Sequence, residues 1–425
     1  MKDHPLRPAL HNEVHARPPE PIHAPMAIAH VVMVVDKESA AASRAHLVQL
    51  LRDHHLPSPD EHTNHVRMDL GAFRLRWELH TEFVSWTFMR QGQEGMLHSP
   101  TQPLTAIQVV PQQWLATLPG QCLTRLHMWM LSAQAADGQL SFDELLFEET
   151  LVASTVADGH GEVYTDFQMH ADGYGRMVLV TGSLTPRRQG RLVQQLLEIE
   201  TYRMAAMLGL PAARQASHVL ADAERELASL AQAIRSANAT DEADLLDRLT
   251  RLAGEVEGQY AATHARFSAT RAYFELVDRR IHEIAETRMA GMQTIAEFMQ
   301  RRLSPARSTC EWAARRQTAL SERVSRMSNL LRTRVDFEQQ QSSRDLLATM
   351  NERQGLQLKL QSTVEGLSVA AISYYIVGLL HYGALGLQSR GWIEHPHAWT
   401  AAAVPLVALT VWGFMRRLHN TVFKP

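Results

Sequence analysis

His11-Asn12-Glu13-Val14-His15 sets two imidazoles and a carboxylate at alternate positions. In an extended segment such positions share a face, so His11, Glu13 and His15 would converge on a divalent metal, the one cofactor this pattern suggests. The plainer role for the stretch is an N-terminal arm docked on a folded domain through its His groups and Arg17. His54, His55, His62 and His65 form a looser group in a Pro- and Asp-containing stretch, which reads as a surface loop before it reads as a metal site. Asp166 and His170 lie in the strand-like run 162–170, where Asp166 has the setting of a buried, hydrogen-bonded carboxylate, and Asp172-Gly173 is turn chemistry. Glu200 and Arg203 stand at helical spacing, the signature of a surface pair or of docking onto a sheet.

Other chemistries are missing from the sequence. It holds no GxxxxGK[ST], no GxGxxG after a strand, no GxSxG elbow, no HExxH and no paired CxxC, so nothing commits the chain to catalysis. A net charge of -3 argues against a nucleic-acid partner, which calls for a basic stripe. Cys122 and Cys310 are too few and too far apart for a disulfide framework or a thiolate zinc site, and suit a reducing compartment. The start of the chain lacks the apolar core of a signal peptide, so the bulk is expected in the cytoplasm.

These residues must be positioned by three kinds of element. Residues 27–35 read as a buried strand and 39–54 as a helix. Further strands are expected at 65–70, 72–80, 82–89 and 121–131, a short helix at 111–118, and a hairpin over 162–181. In 82–89, Phe83, Ser85 and Thr87 alternate with Val84, Trp86 and Phe88, so both faces should be covered. A helix from 188 to 208 closes an α+β domain with a mostly antiparallel sheet. The middle, nearly free of proline, predicts long coiled-coil helices over 213–236, 241–303 and from Pro305 onward, with Ser304-Pro305 as stop and restart. Uncharged runs at 367–387 and 398–415 have the length and composition of two transmembrane helices. Trp392, Trp399 and Trp412 mark their ends, and Arg416, Arg417 and Lys424 place the tail inside. Within the first span Ser373, Tyr374, Gly378, His381, Tyr382 and Gly383 are candidates for a pore lining or for close helix packing.

The expected organisation is an arm (1–26), a cytoplasmic α+β domain (27–210), a coiled-coil region (211–363), two spans (364–387 and 398–415) joined by an external loop (388–397), and a basic tail (416–425). Three blocks, HPLRPALHNEVHARPPE, GRLVQQLLEIETYRMAAMLGLP and STVEGLSVAAISYYIVGLLHY, resemble a bacterial domain-of-unknown-function family, DUF3422, of predicted membrane-anchored proteins. The resemblance implies two C-terminal spans and carries no catalytic residues. The domain order also looks like that of CorA-type magnesium channels, which assemble around their first span. Their Gly-Met-Asn signature is absent, since Tyr382 is followed by Gly383-Ala384-Leu385. Two functions are therefore expected to compete: an oligomeric channel or transporter of CorA-like build, and a membrane-tethered scaffold or ligand-sensing protein. The expected partners are the lipid bilayer and further copies of the chain in the inner membrane, with both termini cytoplasmic.

Overall fold

In the computed structural model, residues 3–7, 10–11, 18–61, 63–93, 96–97, 103–133, 145–236 and 241–422 are described, with side chains to residue 417. The chain divides into two compact units, Met1–Arg235 with Asp247–Ser328, and Ser236–Leu246 with Asn329–Pro425.

The first unit is built on one mixed sheet. Its strands are β1 (Met26–Val34), β2 (His65–Asp69), β3 (Arg74–Leu79), β4 (Phe83–Gln91), β5 (Gln121–Ser132), β6 (Val152–Val156), β7 (Gly161–Thr165), β8 (Gly175–Thr181) and β9 (Thr287–Arg288). They lie in the order β2-β3-β4-β1-β5-β8-β7-β6-β9. Every pair is antiparallel except β5 with β8. The long β1 is buried throughout apart from Val34, because helices cover both faces of the sheet. On one side α1 (Lys37–Asp53) and the short α2 (Gln112–Ala116) pack over Val31, Trp77, Trp86 and Phe88. An Asp36–Ser39 capping box opens α1. On the other side Leu192, Val193, Leu196 and Leu197 of α3 (Pro186–Met207) pack over Ile28, Met128 and Leu179.

Three further helices supply the rest of the unit: α4 (Gly209–Ser236) up to Arg235, α5 (Glu242–Glu283) from Asp247, and the first part of α6 (Ile295–Gln388). They meet at Ala213, Ala216, Phe267, Cys310 and Ala313, where small residues allow close approach. Helices α5 and α6 run antiparallel, for Arg307 pairs with Asp278 at 2.7 Å and Thr263 bonds Gln317 at 3.1 Å. Arg316 ties α6 to Glu224 of α4 at 2.8 Å.

Two expectations about these helices fail. The helix expected over 241–303 stops at Glu283, and Ser304-Pro305 is no break, since Pro305 lies inside α6. Between them the chain leaves the helical path, with Ala285 and Gly291 at positive φ, and lays β9 against β6. Glu286 anchors this excursion. One carboxylate oxygen accepts from Ser154 Oγ at 2.7 Å and Ile295 N at 2.9 Å, and the other from Ala296 N at 2.7 Å, so Glu286 also caps α6. Pro305 is tolerated because Arg301, whose carbonyl it leaves without a donor, is on the exposed side.

In the second unit the remainder of α6 and α7 (Pro396–Val422) each carry a stretch long and apolar enough to cross a membrane. Ala384, Val407 and Val411 are buried, and the rings of His381 and His397 stand 5.2 Å apart. Arg334 of α6 pairs with Glu242 at 2.5 Å.

Candidate functional site

The register of the sheet builds a polar row beneath α3. His30 faces Thr87 across β1 and β4, Thr87 faces Arg76 on β3, and Arg76 faces Arg67 on β2. The neighbouring row on the same face is Val32, Ser85, Glu78 and His65. Because side chains alternate, the intervening residues Val31, Trp86 and Trp77 go to the opposite, apolar face. Four polar side chains are thereby buried next to one another, with exposures of 3% for His30, 4% for Arg76, 5% for Glu78 and 3% for Ser85.

Their hydrogen bonds define their states. Thr201 of α3 donates to the Leu197 carbonyl at 2.9 Å, so its oxygen is left to accept from His30 Nε2 at 2.9 Å. A neutral imidazole is therefore protonated on Nε2, and its Nδ1 accepts from the Thr87 hydroxyl at 2.8 Å. Burial, reinforced by the Arg76 charge, pushes the His30 pKa down from 6.5 to about 3. Arg76 donates from one Nη to Glu78 Oε2 at 2.9 Å, while its buried Nε has no hydrogen-bond partner among the described residues. Burial pushes the Glu78 carboxyl up, but Arg76, His80 and His65 together outweigh it and hold it below the ordinary carboxylate range.

These residues line a cavity of about 240 Å³ closed from above by Gln194, Leu197, Glu198, Thr201 and Tyr202 of α3 and by Arg280 of α5. Arg280 pairs with Glu198 and, at 2.6 Å, with Glu283. A second cavity of about 440 Å³ shares His80, Phe83 and Tyr202 with the first and adds Tyr273 and Leu276 of α5. Its wall is aromatic. Tyr202 stacks on Tyr273 with centroids 5.9 Å apart, and Phe83 meets both rings at 6.4 and 6.2 Å. Tyr273 donates to Glu82 at 2.9 Å, and Arg266 forks the same carboxylate at 3.1 and 3.2 Å. Burial and that bond raise the Tyr273 pKa, so the phenol stays neutral. The arrangement is a charged inner chamber beside an aromatic outer one, with His80, Phe83 and Tyr202 common to both walls.

The residues singled out from sequence lie elsewhere. His11 is exposed, and Glu13, His15 and His62 lie outside the described residues. Among the described residues no three His, Cys, Asp or Glu side chains gather as a metal site would require. His54 meets Phe73 edge-on, whereas His65 on β2 has its Nε2 3.9 Å from Glu78, so these two are parted. Asp166 is fully buried. Its Oδ2 accepts from His170 Nε2 at 2.7 Å and from Phe147 N at 3.0 Å, and the His170 ring stacks on Phe147. Glu200 accepts twice from Arg203, at 2.6 and 2.8 Å, and once from Thr124 of β5 at 2.7 Å, which docks α3 on the sheet. Ser373, Tyr374, Gly378, His381, Tyr382 and Gly383 all lie on α6. Sequence reasoning missed His30, Arg76 and Glu78. The available signal was a histidine inside an otherwise apolar strand and charges alternating with Leu75 and Trp77.

No curated protein and no solved structure matches the chain. Residues 2–422 match the family described as "Protein of unknown function (DUF3422)", which spans nearly every element above, and the chain belongs to that family.

Proposed function

We propose that the chain is a membrane-anchored binding protein, held in the bacterial inner membrane by α6 and α7 and sensing a ligand through its mixed-sheet domain. The observation that carries the anchoring is how bare the apolar stretches are. None of the apolar stretch of α6 and 11% of that of α7 is buried. Leu379, Leu406 and Leu409 are each at least 67% exposed, an arrangement that water penalises and a bilayer relieves. Arg416 and Arg417 beside the second stretch favour a cytoplasmic C-terminus, and two spans put the sheet domain on the same side.

The test is extraction and topology. Full-length protein should stay with membranes through alkaline carbonate, and chain truncated before Leu367 should not. A cysteine placed at Ser389 should be labelled by an impermeant reagent from outside intact spheroplasts. Release of the full chain by carbonate refutes the anchor, and protection of position 389 refutes the orientation.

A second reading, an oligomeric channel of CorA-like build, draws on the first span. Tyr374 and Tyr382 are 78% and 75% exposed, and Ser373 Oγ is buried without a hydrogen-bond partner among the described residues. Such groups are costly against lipid and gain from a neighbouring copy. Light scattering of the detergent complex separates the readings, because a central pore requires a ring and a monomer rules it out.

A further inference from the structure

The geometry points to an aromatic α-amino acid, or a close zwitterionic analogue, as the ligand of the two-chamber cleft beneath α3. This rests on the cleft being the binding site of the sensing domain proposed above, and it adds the chemistry of what binds. The inner chamber presents both charges of an amino-acid headgroup in complementary form. Arg76 is buried, spends one Nη on Glu78, and keeps an Nε–H that no described group accepts. A ligand carboxylate supplies the missing acceptor, and a guanidinium binds carboxylates through parallel N–H groups. Glu78 uses Oε2 for Arg76 and Ser85, at 2.9 and 3.4 Å. Its Oε1 stands 3.9 Å from His65 Nε2, beyond hydrogen-bond length, and offers an acceptor to an ammonium group. Glu198 and Gln194 add further polar groups on the α3 side.

Size and shape limit the rest of the ligand. The inner chamber, at about 240 Å³, is smaller than the ~300–1,000 Å³ of sites for drug-sized molecules, so it holds a headgroup and little more. The side chain must then enter the outer chamber, where Phe83, Tyr202 and Tyr273 form three mutually packed rings. A planar aromatic group extends that cluster by stacking or by edge contact. An ion alone leaves the aromatic chamber empty. A purely apolar molecule leaves the Arg76 Nε buried without a partner, which is costly.

The experiment is titration calorimetry on the full-length protein in mild detergent with four probes: L-phenylalanine, L-tyrosine, 3-phenylpropionate and phenethylamine. The last two lack the ammonium and the carboxylate respectively. Saturable binding of one amino acid is expected, with each half-ligand at least about tenfold weaker, the change made by roughly 1.4 kcal/mol. Glu78→Gln should weaken the amino acid at least about tenfold and leave 3-phenylpropionate within about twofold. Tyr202→Ala, at the rim, should weaken all four probes and leave the unfolding midpoint near that of the native chain. It serves as the control should Glu78→Gln fold poorly. Equal binding of 3-phenylpropionate and the amino acid overturns the zwitterion assignment. Absence of saturation by any probe at about 10 mM overturns the aromatic amino acid altogether. Neither result bears on the membrane anchor, which carbonate extraction tests separately.

Discussion

Lowering the pH should unfold the sheet domain through His30, and the size of the effect follows from its burial. His30 is neutral in the folded chain, with a pKa of about 3 against an ordinary 6.5. Above 6.5 it is neutral in both states and costs nothing. As pH falls from 6.5 towards 3 the unfolded chain takes up a proton that the folded chain refuses, so stability is lost over that window. The slope is about 1.36 kcal/mol per pH unit, and between about pH 7.5 and about pH 5 the loss from His30 comes to about 2 kcal/mol. His127, 2% exposed and stacked on Tyr174 at 4.0 Å, behaves alike. Burial, only partly opposed by Asp172, lowers its pKa to about 4, which adds about 2 kcal/mol over the same interval. Glu78 also favours the folded state at higher pH, but its contribution is lost only as pH falls below 4.5, outside this interval. The assay is urea unfolding of the full-length protein in detergent, followed by the fluorescence of Trp77, Trp86 and Trp129, each at most 1% exposed. His30→Gln should be less stable near neutrality yet lose about 2 kcal/mol less on acidification than the native chain. An unchanged pH dependence in this variant would refute the assignment of a neutral, proton-refusing His30.

Two further perturbations probe the scaffold. Glu286→Ala removes the carboxylate that holds Ser154 and the first two amides of α6; it should cost about 1–3 kcal/mol and speed hydrogen exchange at Ile295 and Ala296 above other α6 amides. Uniform exchange along α6 in that variant would contradict the capping role. Gly190→Ala builds a methyl group into the Glu20 carbonyl, so residues 18–22 must leave α3. The bond from Ile22 N to the Pro186 carbonyl should be lost, and protease should cut near Glu20 faster while the sheet stays folded. Native cleavage rates would show that the segment does not dock there.

Much of this fold was legible in the sequence because its signals are local. The alternation of Phe83, Ser85 and Thr87 with Val84, Trp86 and Phe88 gave a strand covered on both faces, and β4 is one. The excursion between α5 and α6 was hidden for a geometric reason. Ile284 and Ile295 are eleven residues apart, close to three helical turns, so both stay in phase on an unbroken apolar stripe even though the chain between them forms β9. The positive φ of Ala285 carries no mark in the residue type, and Gly291 alone reads as a tolerated helical glycine. Strand β6 escaped because Val152, Ala153, Ser154, Thr155 and Val156 are too short a run to stand out by themselves, and its outer partner, β9, lies far along the chain.

The cleft was illegible for a deeper reason, and that reason supplies a test. Arg74-Leu75-Arg76-Trp77-Glu78-Leu79 alternates charge with apolar bulk, the pattern of a strand with one face in water. Nothing in β3 itself announces that α3, more than a hundred residues later, covers the charged face. Burying Arg76 and Glu78 there is not what stability alone would select, because a buried ion pair seldom outperforms well-packed apolar residues of the same volume. If the pair exists to bind, removing both members should be tolerated by the fold and fatal to the site. Arg76→Met should cost about 3–5 kcal/mol by stranding Glu78, whereas Arg76→Met with Glu78→Leu should recover that loss or exceed native stability by about 1–4 kcal/mol. The double variant should show no ligand titration. A double variant as unstable as the single one would mean that the polar row holds the sheet to α3, and the cleft would then lose its main claim to be a binding site.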